Sequence, residues 1–195
     1  MEYFVYNIKD LTDEAYEKWF SLMTEEKQER VSRYKDLTRR KCSVAGEMLV
    51  KTHIADIFKV APESLKILEA KNGKPYIEGY DIYFNISHCE NMIAYTFSVF
   101  ETGIDIERIK SISLTIMKRF FSEKEQKYVL GREPVETDFS KCDNPEILER
   151  FYRIFTLKEA ICKKSGIGIK GLKEANAMAH LERSRKICDF IISII

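Results

Sequence analysis

Residues 103–107 read Gly-Ile-Asp-Ile-Glu, and residues 155–163 read Phe-Thr-Leu-Lys-Glu-Ala-Ile-Cys-Lys. The first stretch alternates as a β-strand does, so Asp105 and Glu107 are predicted to share one face and the two isoleucines the other. The second stretch has helical spacing, which places five residues on one stripe: Phe155, Lys158, Glu159, Cys162 and Lys163. Together they predict a strand and a helix that bring charged side chains to a common place.

Two carboxylates that converge can hold Mg²⁺, which prefers oxygen ligands and keeps waters and substrate phosphates as its remaining partners. Asp105 and Glu107 are the candidates, with Glu159 as a third ligand and Lys163, one turn further on, as a phosphate partner. Each feature also has an ordinary explanation. The Asp-x-Glu pair alone is typical of a polar strand face. Glu159 and Lys163 alone would form an exposed helical ion pair worth about 0.2–0.5 kcal/mol.

Helical and strand periods both occur along the chain. In the first half, strands are predicted at 3–8, 65–68, 82–86 and 92–100, with helices at 13–23, from 25 onward, and at 43–59. In the second half, a strand at 102–107 precedes a helix ending at Phe121, a capping-box helix opened by Ser122 and Glu125, and a helix from Pro145 to Ser165. Only residues 167–169 and the apolar tail 187–195 are left as later strands.

Composition limits the function classes. The 195 residues are 45% hydrophobic and 32% charged, which is typical of a packed globular protein. The net charge of +1 gives no global attraction to nucleic acid or to an acidic membrane. The five cysteines form no Cys-x-x-Cys pair and are odd in number, which favours a reducing cytoplasm over a disulfide framework or a zinc site. The sequence shows no signal peptide and no apolar span of about 20 residues.

A local basic run could nevertheless bind a phosphate-rich ligand. From 27 to 41 there are two acids, Glu29 and Asp36, against seven bases: Lys27, Arg30, Arg33, Lys35, Arg39, Arg40 and Lys41. Basic runs are usually solvated helix faces, and Tyr34 is the lone aromatic that could stack on a base. The run therefore favours a small polyanion over single-stranded nucleic acid.

His88 follows Ser87 at the predicted end of a strand, where it could donate to phosphate oxygens. A Ser-His nucleophile is disfavoured, because neighbours in a strand point to opposite faces. The match of residues 166–171 to Gly-x-Gly-x-x-Gly follows a helix instead of a strand, so it is interpreted as a helix stop and not as a dinucleotide site.

In order and spacing, five segments resemble the 4′-phosphopantetheinyl transferases of the Sfp type. They are Gly73-Lys-Pro75, Phe84-Asn-Ile-Ser-His88, Gly103-Ile-Asp-Ile-Glu107, Arg119-Phe-Phe-Ser122 with Glu125, and Phe155-x-x-Lys-Glu-Ala-x-x-Lys163. The resemblance covers about residues 3–169. It implies two similar α+β halves with pseudo-twofold symmetry, here 1–102 and 103–195, with the active site between them.

The resemblance also implies the reaction. Such enzymes transfer the 4′-phosphopantetheine of coenzyme A to a serine of an apo acyl or peptidyl carrier protein, with Mg²⁺, and release 3′,5′-ADP. Asp105, Glu107 and Glu159 would hold the metal, with Mn²⁺ as an alternative ion. The serine proton would pass to Glu125 or Glu159, although Glu125 also fits the capping box. The residues expected to contact coenzyme A are Lys27, Arg30, Arg40, Lys74, Pro75, Ser87, His88, Lys158 and Lys163.

The sequence departs from the family pattern at three places. Phe155 stands where a tryptophan is usual, and the match in the basic run leaves Arg39, Arg40 and Lys41 as alternatives for the nucleotide phosphate. After Gly171 the resemblance fades, so the second half is expected to be short of strands. Its tail, Phe190-Ile-Ile-Ser-Ile-Ile195, would then be an apolar edge able to pair with another copy.

These departures leave alternatives open. The chain is expected to be a monomer or a tail-mediated homodimer. A catalytically impaired relative that only binds coenzyme A or carrier protein is the main competing hypothesis, and a nucleic-acid binder is ranked last.

Overall fold

The computed structural model describes residues 2–195. The chain divides into two compact units, the first ending at Phe100 and the second beginning at Glu101. Each unit contains a three-stranded antiparallel sheet and one helix of more than 20 residues that packs on it. The predicted α+β class with two similar halves is confirmed. Among the described helices, none combines the length and apolar character that a membrane span requires.

Within residues 2–100, the first unit contains three α-helices and five strands, and helices α1 and α2 begin directly after their predicted capping threonines. The elements are β1 (Phe4–Asn7), α1 (Asp13–Ser21), α2 (Glu25–Ser32), α3 (Leu37–Phe58), β2 (Ile67–Glu69), β3 (Pro75–Ile77), β4 (Tyr83–Cys89) and β5 (Met92–Ser98). Thr12 and Thr24 accept hydrogen bonds from backbone amides in the first turns of α1 and α2. Helix α3 starts earlier than the predicted residue 43, because Asp36 caps it by accepting from the Thr38 amide.

The sheet of the first unit has the order β1-β5-β4, and α3 packs on β4 and β5. Its core is apolar, with Val50 and Ile54 from α3 against Phe84 and Ile93 from the sheet. Since side chains alternate along β4, Phe84, Ile86 and His88 share one face, and Ser87 lies on the other.

In the second unit the long helix is α6, which Asn144 caps and the left-handed Gly166 ends, as predicted. The elements are β6 (Ile104–Arg108), β7 (Ile112–Ser113), α4 (Thr115–Phe120), α5 (Glu123–Leu130), β8 (Lys141–Cys142), α6 (Pro145–Ser165), β9 (Ser184–Ile187) and β10 (Phe190–Ile194). The predicted strand at 167–169 is wrong. Gly168 takes a positive φ of 62°, which interrupts an extended backbone, and residues 168–171 form a 3₁₀ turn.

The apolar tail does not form the open edge that the sequence predicts. The sheet order is β6-β10-β9, so β10 is its central strand, paired antiparallel on both sides. Ile191 and Ile192 are buried. The expectation of a tail with an unpaired edge is therefore wrong, because β9 and β10 form a hairpin and supply the missing partners within the unit.

Helix α6 approaches β6 closely at Gly103, directly before the strand. A Cβ at this position would lie 2.0 Å from the Ala160 carbonyl oxygen and 2.6 Å from the Lys164 amide nitrogen. Both atoms are backbone and cannot rotate away. Only glycine fits between strand and helix here.

We expect Gly103→Ala to lower the free energy of unfolding by about 3 kcal/mol, since helix and strand must separate to admit the methyl group. The measurement is urea unfolding followed by circular dichroism. Gly46→Ala in α3 is the control. Its Cβ would meet the Ile86 Cγ2 methyl at 3.2 Å, and alanine favours helix, so a change within about 1 kcal/mol is expected. Equal losses in both variants would contradict this account.

Glu149 ties α6 to the hairpin. Its Oε2 accepts from Lys186 at 2.8 Å, its Oε1 accepts from Arg153 at 3.0 Å, and Arg153 donates in turn to the Ser184 carbonyl at 2.8 Å. Lys186 and then Arg153 lower the pKa of Glu149 below its ordinary value of 4.5. This interaction therefore stabilises the fold at pH values above the ordinary pKa of the unfolded chain. The stabilisation is lost as the pH falls through the lowered pKa of the folded chain.

Glu149→Gln should therefore lower the free energy of unfolding at pH 7 by about 0.5–1 kcal/mol, the range of a partly exposed ion pair. The difference from the native chain should shrink at pH 3, below the ordinary value of 4.5, because the unfolded chain with Glu149 then takes up a proton at this carboxyl group. Urea titrations at both pH values test this. A difference that is the same at pH 3 and pH 7 would show that Glu149 acts through packing instead of charge.

Candidate functional site

A cavity of about 260 Å³ opens in the first unit between α2, α3 and β4. Gly46, Phe84 and Ile86 form an apolar part of its wall, and Glu69 also lines it. Four basic residues also line it: Lys27, Arg30, Arg39 and His88. Their number fits a small anionic ligand with a partly apolar body.

The cations are held in different ways. The Arg39 guanidinium lies 4.4 Å from the Tyr34 ring centroid, and Arg30 pairs with the exposed Glu69 at 2.9 Å. Lys27 pairs at 2.6 Å with Glu47, whose side chain is 9% exposed. Arg30 and Arg39 remain exposed enough to meet a ligand, and Lys27 forms part of the wall.

The structure distinguishes among the three alternatives in the basic run. Arg39 lines the cavity. Arg40 donates instead to the carbonyls of Tyr34 and Ser32, and Lys41 pairs with Asp13. Arg39 is therefore the member of the three that lines the cavity, and the predicted ligand contact of Arg40 stays a prediction. Sequence could not separate them, because the difference is one residue, about 100° of helix rotation.

Other predicted contacts are divided between the cavity and its surroundings. Pro75 lines the cavity with His88, and Lys74 lies next to it with its ammonium 5.6 Å from the Tyr83 ring centroid. Ser87 is 6% exposed, lies on the opposite face of β4, and is not among the residues that line the cavity. Alternation along the strand explains the separation of Ser87 from His88.

In the second unit, Asp105 and Lys163 meet between β6 and α6. The Lys163 Nζ lies 2.7 Å from Asp105 Oδ1, and Asp105 is only 4% exposed. Glu159, one turn before Lys163, has its pKa raised, first by burial and then by the charge of Asp105, while Lys163 lowers it. The structure therefore brings together two of the three predicted carboxylates and the predicted lysine.

Glu107 shares the α6 side of β6 with Asp105 by alternation, and is half-buried. Within residues 2–195, no three His, Cys, Asp or Glu side chains form a ready metal cluster. The donor chemistry still suits Mg²⁺, which is often bound by one or two carboxylates with water and phosphate completing its shell. The raised pKa of Glu159 beside Asp105 fits a place where a cation would relieve repulsion.

Glu125 and Lys158 form a separate, fully buried ion pair at 2.9 Å, each with 1% of its side chain exposed. Glu125 accepts from the Ser122 amide, completing the capping box, and from the Ala177 amide. Lys158 also donates to the Ala175 carbonyl. With their hydrogen bonds satisfied inside the core, these residues stabilise the fold. The geometry thus argues against Lys158 as a coenzyme contact and against Glu125 as the base.

Glu125→Gln should lower the free energy of unfolding by about 3–5 kcal/mol, because it leaves the Lys158 ammonium buried without a counter-ion. Urea unfolding measures the loss. The double variant Glu125→Gln with Lys158→Met removes both charges, and it should recover at least half of that loss. A stable single variant with a large fall in any turnover would instead indicate a direct chemical role for Glu125.

Known proteins with similar sequences belong to one enzyme class. A family model described as the 4′-phosphopantetheinyl transferase superfamily matches residues 101–190, and one described as 4′-phosphopantetheinyl transferase, N-terminal, matches residues 10–98. The chain is 30% identical over 168 residues to the 4′-phosphopantetheinyl transferase Sfp of Bacillus subtilis (strain 168), a match that covers 86% of this chain and 70% of that protein. It is 30% identical over 149 residues to the 4′-phosphopantetheinyl transferase gsp of Aneurinibacillus migulanus, covering 76% of this chain and 58% of that one.

These findings define an enzyme class, the 4′-phosphopantetheinyl transferases, and confirm the resemblance found in the sequence. The chain belongs to the 4′-phosphopantetheinyl transferase family.

Two features of the cavity were missed by sequence reasoning. Glu47 pairs with Lys27 from another helix, and Tyr34 lies under Arg39. The spacing of Glu47 and Lys51, i and i+4, was the available signal for the first. Tyr34 stood out as the lone aromatic of the basic run, but its partner depends on the turn between α2 and α3.

Proposed function

We propose that this chain transfers the 4′-phosphopantetheine group of coenzyme A to a serine of an apo acyl or peptidyl carrier protein, with Mg²⁺, releasing 3′,5′-ADP. The observation that carries the proposal is the Asp105–Lys163 pair with Glu159 beside it, on two of the segments that resemble the family. This arrangement offers carboxylates for a cation and an ammonium for a phosphate.

The cationic cavity supports coenzyme A as the donor. Coenzyme A carries a 3′-phosphate and a pyrophosphate, so a site for it must supply several positive charges without drawing in long polyanions. Lys27, Arg30 and Arg39 supply such charges at one cavity, and His88 adds an imidazole, in a chain whose net charge is only +1. Phosphate groups bind guanidinium and ammonium groups through charge-assisted hydrogen bonds.

Asp105 and Glu159, with Glu107 nearby, are the residues that would hold Mg²⁺. When bound, the ion would neutralise charge on the pyrophosphate. Lys163 is placed by Asp105 to stabilise negative charge that develops on the same phosphates. Mn²⁺ would suit the same oxygen donors.

In the transfer, the serine oxygen bonds to the β-phosphorus, and the bond from that phosphorus to the bridging oxygen breaks. The bridging oxygen leaves with 3′,5′-ADP, and the serine proton goes to a carboxylate. Glu159 is the remaining candidate for the acceptor. Glu125 is committed to the buried pair with Lys158.

The unpaired tail edge no longer supports the impaired-relative hypothesis, since β10 is paired on both sides within the second unit, although the match covers 70% and 58% of the two relatives' lengths. Self-association through an open tail edge loses its basis for the same reason. A cytoplasmic location stays a prediction from the cysteine pattern.

We expect an apo carrier protein incubated with this chain, coenzyme A and Mg²⁺ to gain one phosphopantetheine by intact-protein mass spectrometry, and to gain none in EDTA. Asp105→Asn and Glu159→Gln should each lower kcat by about 10²–10³-fold, the range for loss of one group that stabilises charge in the transition state.

Asp189→Asn is the matched control, because Asp189 is an exposed acid of the same unit, 3.9 Å from Arg108. Its turnover should stay within twofold of the native chain. Folding of every variant is checked by circular dichroism. Native-like turnover in Asp105→Asn or Glu159→Gln would overturn the proposal, as would transfer that EDTA does not affect.

A further inference from the structure

Glu47 is an acid in the wall of a cationic cavity. It projects from α3 and is 8% exposed. Its Oε2 lies 2.6 Å from the Lys27 Nζ of α2, and its Oε1 lies 2.9 Å from the Lys51 Nζ of its own helix. The side chains of Lys27, Glu47 and Lys51 are 15%, 9% and 5% exposed, so three charges are buried together.

A carboxylate at this place needs an explanation. By Coulomb's law it repels an anionic ligand, and burying it costs free energy unless it is paired. The pairing with both lysines covers that cost and leaves the trio with one positive charge in excess. Lys27, the more exposed of the two, carries this excess to the cavity wall.

Lysine has a long flexible side chain, and fixing it on ligand binding costs up to about 2 kcal/mol of side-chain entropy. Glu47 has already fixed the Lys27 ammonium at 2.6 Å before any ligand arrives. A preformed cation binds a phosphate more tightly than one that must first be ordered. The benefit of order can therefore exceed the repulsion from one neutralised carboxylate.

We propose that Glu47 is a positioning residue, which holds the Lys27 ammonium at the cavity wall so that a phosphate of coenzyme A meets an ordered cation. The inference rests on the proposed function for the identity of the ligand. Glu47 does not touch the reacting atoms, so it acts on affinity through Lys27.

The primary measurement is calorimetric titration of coenzyme A into the chain without carrier protein. Glu47→Gln should raise the dissociation constant about tenfold. In the transfer assay it should raise the KM for coenzyme A by a similar factor and change kcat less than twofold, because the lost interaction is the same in ground and transition states. Glu29→Gln is the matched control, since Glu29 is an exposed acid of α2 paired with Arg33, and it should leave both constants unchanged.

A double-mutant cycle tests whether the effect passes through Lys27. Lys27→Met alone should also weaken binding, and adding Glu47→Gln to it should change the dissociation constant less than twofold. If the two effects multiply in full, Glu47 acts independently of Lys27 and the proposal is overturned. An unchanged dissociation constant in Glu47→Gln overturns it as well.

Glu47→Gln leaves Lys51 buried without its partner and could fail to fold, so a second variant is included. Glu47→Gln with Lys51→Met removes both charges of that pair and is expected to fold. It should show the same tenfold weakening, and native affinity in it would overturn the proposal. Binding of coenzyme A without transfer would contradict the proposed function alone, since the dissociation constants still decide the role of Glu47. Absence of coenzyme A binding in the folded native chain would overturn both.

Discussion

The close approach of α6 to β6 at Gly103 is the contact on which the second unit depends. The α-carbon of Gly103 faces the backbone of α6 at Ala160 and Lys164, with no room for a side chain. This contact brings helix and strand together at the point where the chemistry is proposed. Two residues along the strand is Asp105, and one residue before Lys164 is Lys163, so the 2.7 Å ion pair lies beside the contact. Any separation of the two elements would lengthen that pair directly.

Buried charge is organised in the same way at three places. Asp105 with Lys163, Glu125 with Lys158, and Glu47 with two lysines each place a carboxylate of low exposure on an ammonium. Such pairs add little net stability, because desolvation offsets the attraction, but removing one partner is costly. Their effect is to fix the positions of the paired side chains. The Glu125 pair serves the fold, whereas the other two lie at the places where phosphate groups are proposed to bind.

Sequence predicted most of the second unit, because its signals are local. The caps at Ser122 and Asn144 and the stop at Gly166 lie where expected, since each depends on backbone amides a few residues away. The prediction that the tail has an unpaired edge was wrong because strand pairing is not local. Strand β10 pairs with β6, over 80 residues earlier in the sequence. The predicted helical stripe from Phe155 to Lys163 has the correct spacing, but it did not show which of its charged residues lie in the core. Lys158 and Glu159 are neighbours, yet one is 1% exposed in the core and the other faces Asp105.

Helix geometry determines which charged residues of α6 lie in the core and which face β6. Successive residues differ by about 100°, so a helix that commits Lys158 to one partner directs Glu159 to a defined neighbouring direction. Lys158 pairs with Glu125 of α5 and donates to the carbonyl of Ala175, which lies in the loop after α6. Glu159 and Lys163, four residues apart, then face β6 together. The buried pair thereby fixes which carboxylate meets Asp105, and this explains why two charged residues next to each other in sequence serve folding and chemistry separately.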